Sequence, residues 1–268
     1  MKKATRARLK QIRELLKKKE ARDTSGLFAA EGVKIVKDIA AKGLEIDAVL
    51  VSHAFAGDKD NKALLSRLDR QGVPLYAAGE SEFNRTSSLQ RPEGILALVK
   101  KDVTPRRVLP DGNPAFVVLC DGIQDPGNLG AIIRTAAAFG VDCLMLTGRS
   151  ADVYNPKAVR SSSGMVLEIP ALAYPYRELD RLKKRGYRIF VSQADRKSGM
   201  DIGKIKKVPP LSIVAFGSEG KGVSGEVRAR ADDFFYIPTR ENVESLNVAS
   251  AVAISLFAFG KNRMNKEA

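Results

Sequence analysis

From residue 116 to residue 261 the chain alternates short apolar runs with helix-length segments, and this rhythm constrains the fold more than any other feature. The strand-like runs are 116–120, 141–146, 166–172, 187–193, 211–216 and 233–237. Helices are expected over 129–139, 157–163, 176–185, 223–231 and 246–261. Strands that are apolar at nearly every position are buried on both faces, which implies a parallel sheet covered by helices. Ligands of such sheets bind beyond the carboxyl ends of the strands.

Three polar islands sit at those ends. Asp121–Ala136 (DGIQDPGNLGAIIRTA) follows the first strand, and Gly217–Glu226 (GSEGKGVSGE) follows the fifth. The third island follows residues 233–237 as Pro238, a polar stretch and then Ser245-Leu246-Asn247, which opens a helix of small residues. A loop-to-helix junction exposes unpaired N–H groups that bind polar ligands. The plainer reading makes Ser245 the cap of a core helix.

Familiar chemistries fail on these islands. A P-loop needs Gly at position 215 and Ser or Thr at 222, where this chain has Ala215 and Gly222. The first island lacks the GxGxxG dinucleotide fingerprint. His53 is the only histidine, which argues against a Ser-His-Asp hydrolase, and no cysteine pair has metal-ligand spacing. No metal site is expected.

The N-terminal part reads as a smaller α/β unit. Residues 28–41 and 62–71 look helical, 48–52, 73–77 and 95–99 look like strands, and 80–91 reads as polar loop or short helix. The stretch 100–114, KKDVTPRRVLPDGNP, carries three prolines and reads as a linker. The plan is a basic helix over 1–22, an α/β unit over 23–99, the linker, and a larger α/β domain over 115–268.

Charge is concentrated at the start. The chain carries +14, and residues 1–22 hold ten Lys/Arg against Glu14 and Glu20. Leu9, Ile12, Leu15 and Leu16 give this segment one apolar stripe at helical spacing. Nucleic-acid phosphate is the favoured partner, ahead of a membrane surface, calmodulin or a transit-peptide role, because the segment lacks Trp and Phe anchors and early serines. No apolar run is long enough to span a membrane. Cys120 and Cys143 lie within apolar strands and read as buried reduced thiols, which fits the cytoplasm.

Together the islands resemble the three motifs of the SpoU–TrmH family of RNA ribose 2′-O-methyltransferases. Asn128-Leu129-Gly130 with Arg134 is similar to the first, Gly217–Gly222 to the second, and Ile237-Pro238 with Glu244–Ala249 to the third. Arg160–Gly164 looks like a family segment between the first and second, and residues 6–99 look like the family's substrate-binding extension. Glu241 stands where the family often has Gly.

The resemblance implies a parallel sheet with a C-terminal trefoil knot, S-adenosylmethionine as cofactor and a homodimer. It places the cofactor at Gly217, Gly220, Ile237, Ser245 and Leu246, and catalysis at Asn128, Arg134, Glu219 and Asn247. Ribosomal RNA, 23S above all, is the favoured substrate, with transfer RNA as the alternative. A non-catalytic RNA-binding assembly factor is the competing class. In the enzymatic reading Arg134 lowers the pKa of the ribose hydroxyl, since guanidinium stays protonated. Asn128 would orient it, and the proton would leave to phosphate, water or Glu219.

Overall fold

The computed structural model describes residues 1–101, 115–195 and 198–264. It divides into two compact units, Met1–Thr104 with Tyr154–Gly164, and Pro105–Val153 with Met165–Ala268. Residues 102–114 of the expected linker lie outside the described residues.

The first unit runs β1 (Lys2–Lys3), α1 (Arg6–Lys17), α2 (Lys19–Ser25), β2 (Leu27–Glu31), α3 (Val33–Ala41), β3 (Ile46–Ser52), α4 (His53–Gly57), α5 (Lys62–Arg70), β4 (Leu75–Ala78), α6 (Glu80–Thr86) and β5 (Ile95–Lys100). Its sheet has the order β1-β4-β3-β5-β2, with β5 antiparallel to both neighbours. The apolar stripe of α1 is core: Leu9, Ile12, Leu15 and Leu16 pack with Ala29, Leu50, Leu96 and Leu98. Residues 1–22 are therefore part of this unit's covering layer rather than a separate helix. The expected helix over 28–41 is corrected to a strand and a helix. Residues Leu27–Glu31 are buried throughout and pair with β5, and Gly32, at φ +115°, makes the break that an L side chain would resist.

The second unit runs β6 (Ala115–Asp121), α7 (Pro126–Ala138) and β7 (Cys143–Thr147). A short helix, α8 (Pro156–Ser161), follows in the segment that groups with the first unit. Then come β8 (Ala171–Ala173), α9 (Tyr176–Lys184), β9 (Arg188–Ser192), β10 (Met200–Asp201), β11 (Leu211–Gly217), α10 (Gly225–Arg228), β12 (Asp233–Tyr236) and α11 (Val248–Met264). The sheet order is β10-β12-β9-β11-β6-β7-β8, and every pairing is parallel. The expected strand over 166–172 is instead a 3-10 turn, Met165–Leu167, and the short edge strand β8. Pro170, which has no N–H to give a ladder, sits between them. Cys120 and Cys143 are buried free thiols, and burial pushes both up to about 12.

Tyr154–Gly164 leaves β7 and packs within the first unit. The Tyr154 ring meets Phe28 at 4.9 Å between centroids. Arg160 donates to the Ser88 hydroxyl at 3.0 Å, beside the buried Glu31, which accepts from the Ser87 and Ser88 hydroxyls.

Candidate active site

The topology brings the three islands to one sheet edge. Strand β11 lies between β6 and β9, with Gly217 in register with Asp121. The carboxyl ends of β6, β9 and β11 are thus neighbours at the point where the chain crosses over.

Beyond β11 the chain folds back on itself at once. Ser218 N–H donates to Gly222 O at 3.1 Å, and Gly222 N–H donates to Ser218 O at 2.8 Å. A Cβ on Gly217 would sit 1.9 Å from the Gly222 carbonyl carbon and 2.1 Å from Val223 N. Gly217 is required by the closure of its own loop, a stronger reason than the ligand approach expected from sequence. Gly220 differs, since a Cβ there meets nothing within 4 Å.

Buried Asp121 anchors the far end of the loop. It accepts from Ser224 N–H at 2.7 Å, from the Thr147 hydroxyl at 2.8 Å and from the Tyr176 hydroxyl at 2.8 Å. Burial raises the Tyr176 phenol above its ordinary range, so it remains a donor.

Asn247 joins the islands. Its side-chain oxygen accepts from Ala249 N–H at 3.0 Å and Ser250 N–H at 3.4 Å, capping α11. Asn247, not Ser245, is the cap. With its oxygen so used, the Asn247 amide donates to Glu219 Oε1 at 2.7 Å and to Asn128 Oδ1 at 3.1 Å. Asn128 Nδ2 donates to the same Glu219 oxygen at 3.1 Å. Asn128 itself is fixed at the start of α7, where the Asp125 side chain accepts from its N–H at 2.8 Å.

Arg134 stands apart from this network. It lies six residues beyond Asn128 on α7, about 9 Å along the helix. Its side chain is exposed and makes no hydrogen bond or ion pair among the described residues. Asn128 hydrogen-bonds Glu219 and Asn247, and among the described residues it makes no hydrogen bond to Arg134.

A cleft of about 280 Å³ opens beside the network. All five expected cofactor residues line it: Gly217, Gly220, Ile237, Ser245 and Leu246. Phe216 and Val248 add apolar wall, and Glu219 and Glu244 are its two carboxylates. Among the described residues no lysine or arginine lines it, in a chain with 45 of them. Ser192, Gln193 and Thr239 also line it and were missed from sequence. The available signal was the polar step where the apolar run of β9 ends. Glu241 takes no positive φ, since Ser163 is the only non-glycine residue in that region among the described residues. The loop conformation here does not demand glycine at that position.

The family model described as the SpoU rRNA Methylase family matches residues 115–257. The chain belongs to the SpoU rRNA Methylase family. The MRM3-like substrate binding domain matches residues 6–97 of this SpoU chain. It is 30% identical over 259 residues to the 23S rRNA (guanosine(2553)-2'-O)-methyltransferase RlmP of Bacillus subtilis, covering 95% of this chain and 96% of that one. It is 27% identical to the 23S rRNA (uridine(2479)-2'-O)-methyltransferase of Streptomyces viridochromogenes, covering 97% and 91%. The SpoU methyltransferase AviRb of Streptomyces viridochromogenes, solved in complex with the cofactor AdoMet, superposes with a TM-score of 0.84 at 25% identity, covering 97% of this chain and 99% of that one.

Proposed function

We propose that this SpoU chain transfers a methyl group from S-adenosylmethionine to a ribose 2′-hydroxyl of RNA, with 23S ribosomal RNA as substrate and transfer RNA as the alternative. The charge of the cleft carries this reading. A chain of net charge +14 lines its cleft with Glu219 and Glu244 and, among the described residues, with no lysine or arginine. Such a wall suits a cationic sulfonium and repels a bare phosphate. Ile237, Leu246 and Phe216 offer the apolar surface a nucleoside needs, and Gln193, Ser245 and backbone groups offer polar contacts.

S-adenosylmethionine, when bound, supplies an electrophilic methyl group on positively charged sulfur. The rest is done by the chain. Asn128 and Asn247 hold Glu219 at the cleft wall. Arg134 stabilises the negative charge that grows on the ribose oxygen as its proton leaves to phosphate, water or Glu219. The first unit binds the RNA. The trefoil knot and the cytoplasmic setting implied by the resemblance belong to the same reading, and buried reduced thiols suit the latter.

Asn247 tests the network. Asn247→Asp keeps the cap but loses the donor and faces Glu219 with a second negative charge. A hydrogen bond to a charged group contributes about 1.5–3 kcal/mol, so the dissociation constant for S-adenosylmethionine rises about 10–100-fold by calorimetry. Unchanged affinity would remove the network from the binding site.

The same reading makes the protein a homodimer through α11. Val252, Leu256 and Phe259 bury one side of this helix. Ile254 and Phe257 stay 42% and 61% exposed on another, with Phe257 against Phe139. Phe257→Asp is expected to convert a dimer to a monomer in light scattering, while a wild-type monomer would contradict the assignment.

Mapping ribose methylation in a strain lacking the gene tests the function. One 2′-O-methyl mark in 23S rRNA is expected to vanish and to return with the wild-type gene. Loss of a transfer RNA mark would select the alternative, and an unchanged map would overturn both.

A further inference from the structure

We propose that the cleft between α1 and α6 is a phosphate subsite for the backbone of the RNA, an inference that rests on the RNA reading above. The cleft has a volume of about 300 Å³ and is lined by Arg6, Leu9 and Arg13 of α1 and by Glu82, Arg85 and Thr86 of α6. Three arginines less one glutamate leave a formal charge of +2 on its wall.

Among the described residues none of the three guanidinium groups forms an ion pair. Arg6 and Arg85 are exposed and make no side-chain hydrogen bond or ion pair among the described residues. Arg13 uses only its Nε, which donates to Leu9 O at 3.3 Å. Other arginines of this segment are engaged. Arg8 is held by Asp47 at 3.0 Å and Gln11 at 2.9 Å and lies over the Tyr76 ring. Buried Arg22 donates to Leu15 O at 2.6 Å. Arg8 and Arg22 are tied into the fold, whereas Arg6, Arg13 and Arg85 have no acidic partner among the described residues. Repulsion among three cations at one concavity is relieved by an anion, and guanidinium matches phosphate oxygens two at a time.

The ligand is a chain of phosphates rather than a single anion. Exposed Lys10 and Lys17 continue the line of Arg6 and Arg13 along α1 at spacings of i, i+4, i+7 and i+11. At 1.5 Å per residue this line is about 17 Å long. A polyanion strand can follow it from end to end, whereas a small anion fills only the cleft.

The test is fluorescence anisotropy of the full chain with a fluorescein-labelled RNA hairpin over a KCl series. The variant R6Q/R13Q/R85Q is expected to bind about tenfold or more weakly at low salt, with the slope of log Kd against log [KCl] reduced by about 2–3. The charge-matched control K62Q/R67Q/R70Q on α5 is expected to keep the wild-type slope. Circular dichroism melting checks the fold. Should the triple variant fail to fold, R13Q and R85Q singly are expected to reduce the slope by about 1 each. An unchanged slope in the cleft variants, or an equal loss in the control, overturns the subsite and leaves the function standing. Wild-type protein that binds no RNA overturns the function and the subsite with it.

Discussion

Arg134→Ala is expected to lower the rate of RNA methylation about 10²–10³-fold at saturating substrates, the range seen when one preorganised donor to a developing oxyanion is removed. The dissociation constant for S-adenosylmethionine is expected to hold, because Arg134 lies outside the cleft wall. A guanidinium is a poor base, so its contribution is charge placed where charge grows. Arg134→Lys keeps the charge and loses the planar fork, and an intermediate rate is expected. Among the described residues Arg134 is exposed and unpaired, as expected of a side chain whose partner is RNA. An alanine variant that methylates RNA at the wild-type rate would remove Arg134 from the chemistry.

Gly217→Ala is expected to weaken cofactor binding more than about tenfold through the backbone alone. The added methyl would lie 1.9 Å from the Gly222 carbonyl carbon, 2.0 Å from its oxygen and 2.1 Å from Val223 N. None of these is a flexible side chain, so the loop itself must open. The paired bonds between Ser218 and Gly222 break, and Glu219, which lies between them, leaves Asn128 and Asn247. Overpacking of this kind costs about 1–3 kcal/mol, a fall in melting temperature of about 2–12 °C for a unit of this size. Affinity for S-adenosylmethionine is expected to fall by more than about tenfold, one power of ten for each 1.4 kcal/mol. Gly220→Ala is the internal comparison, three residues further along the same loop. Its Cβ meets nothing, so fold and melting temperature are expected to stay near wild type. Equal behaviour of the two variants would contradict the steric account.

Much of this architecture is legible in the sequence because its signals are local. The apolar runs of β6, β7, β9, β11 and β12 mark a sheet buried on both faces, and the polar islands mark its carboxyl edge. The errors have physical causes. Leu27–Glu31 carries alanines and a glutamate that also suit a helix, and only pairing with β5 makes it a strand. The segment Tyr154–Gly164 follows β7 in the chain but finds its partners in Phe28, Ser88 and Glu31, contacts that no local pattern encodes. Ser245 and Asn247 both suit a cap, and the position of the helix start decides for Asn247. Gln193 lines the cleft because β9 neighbours β11, a matter of strand order that spacing alone does not give.

The most direct measurement combines the purified protein, S-adenosylmethionine tritiated in its methyl group, and ribosomal RNA from a strain lacking the gene, followed by digestion to nucleosides. The label is expected in a single 2′-O-methylnucleoside. Label on a base, or no transfer by protein that binds S-adenosylmethionine, would contradict the proposed function.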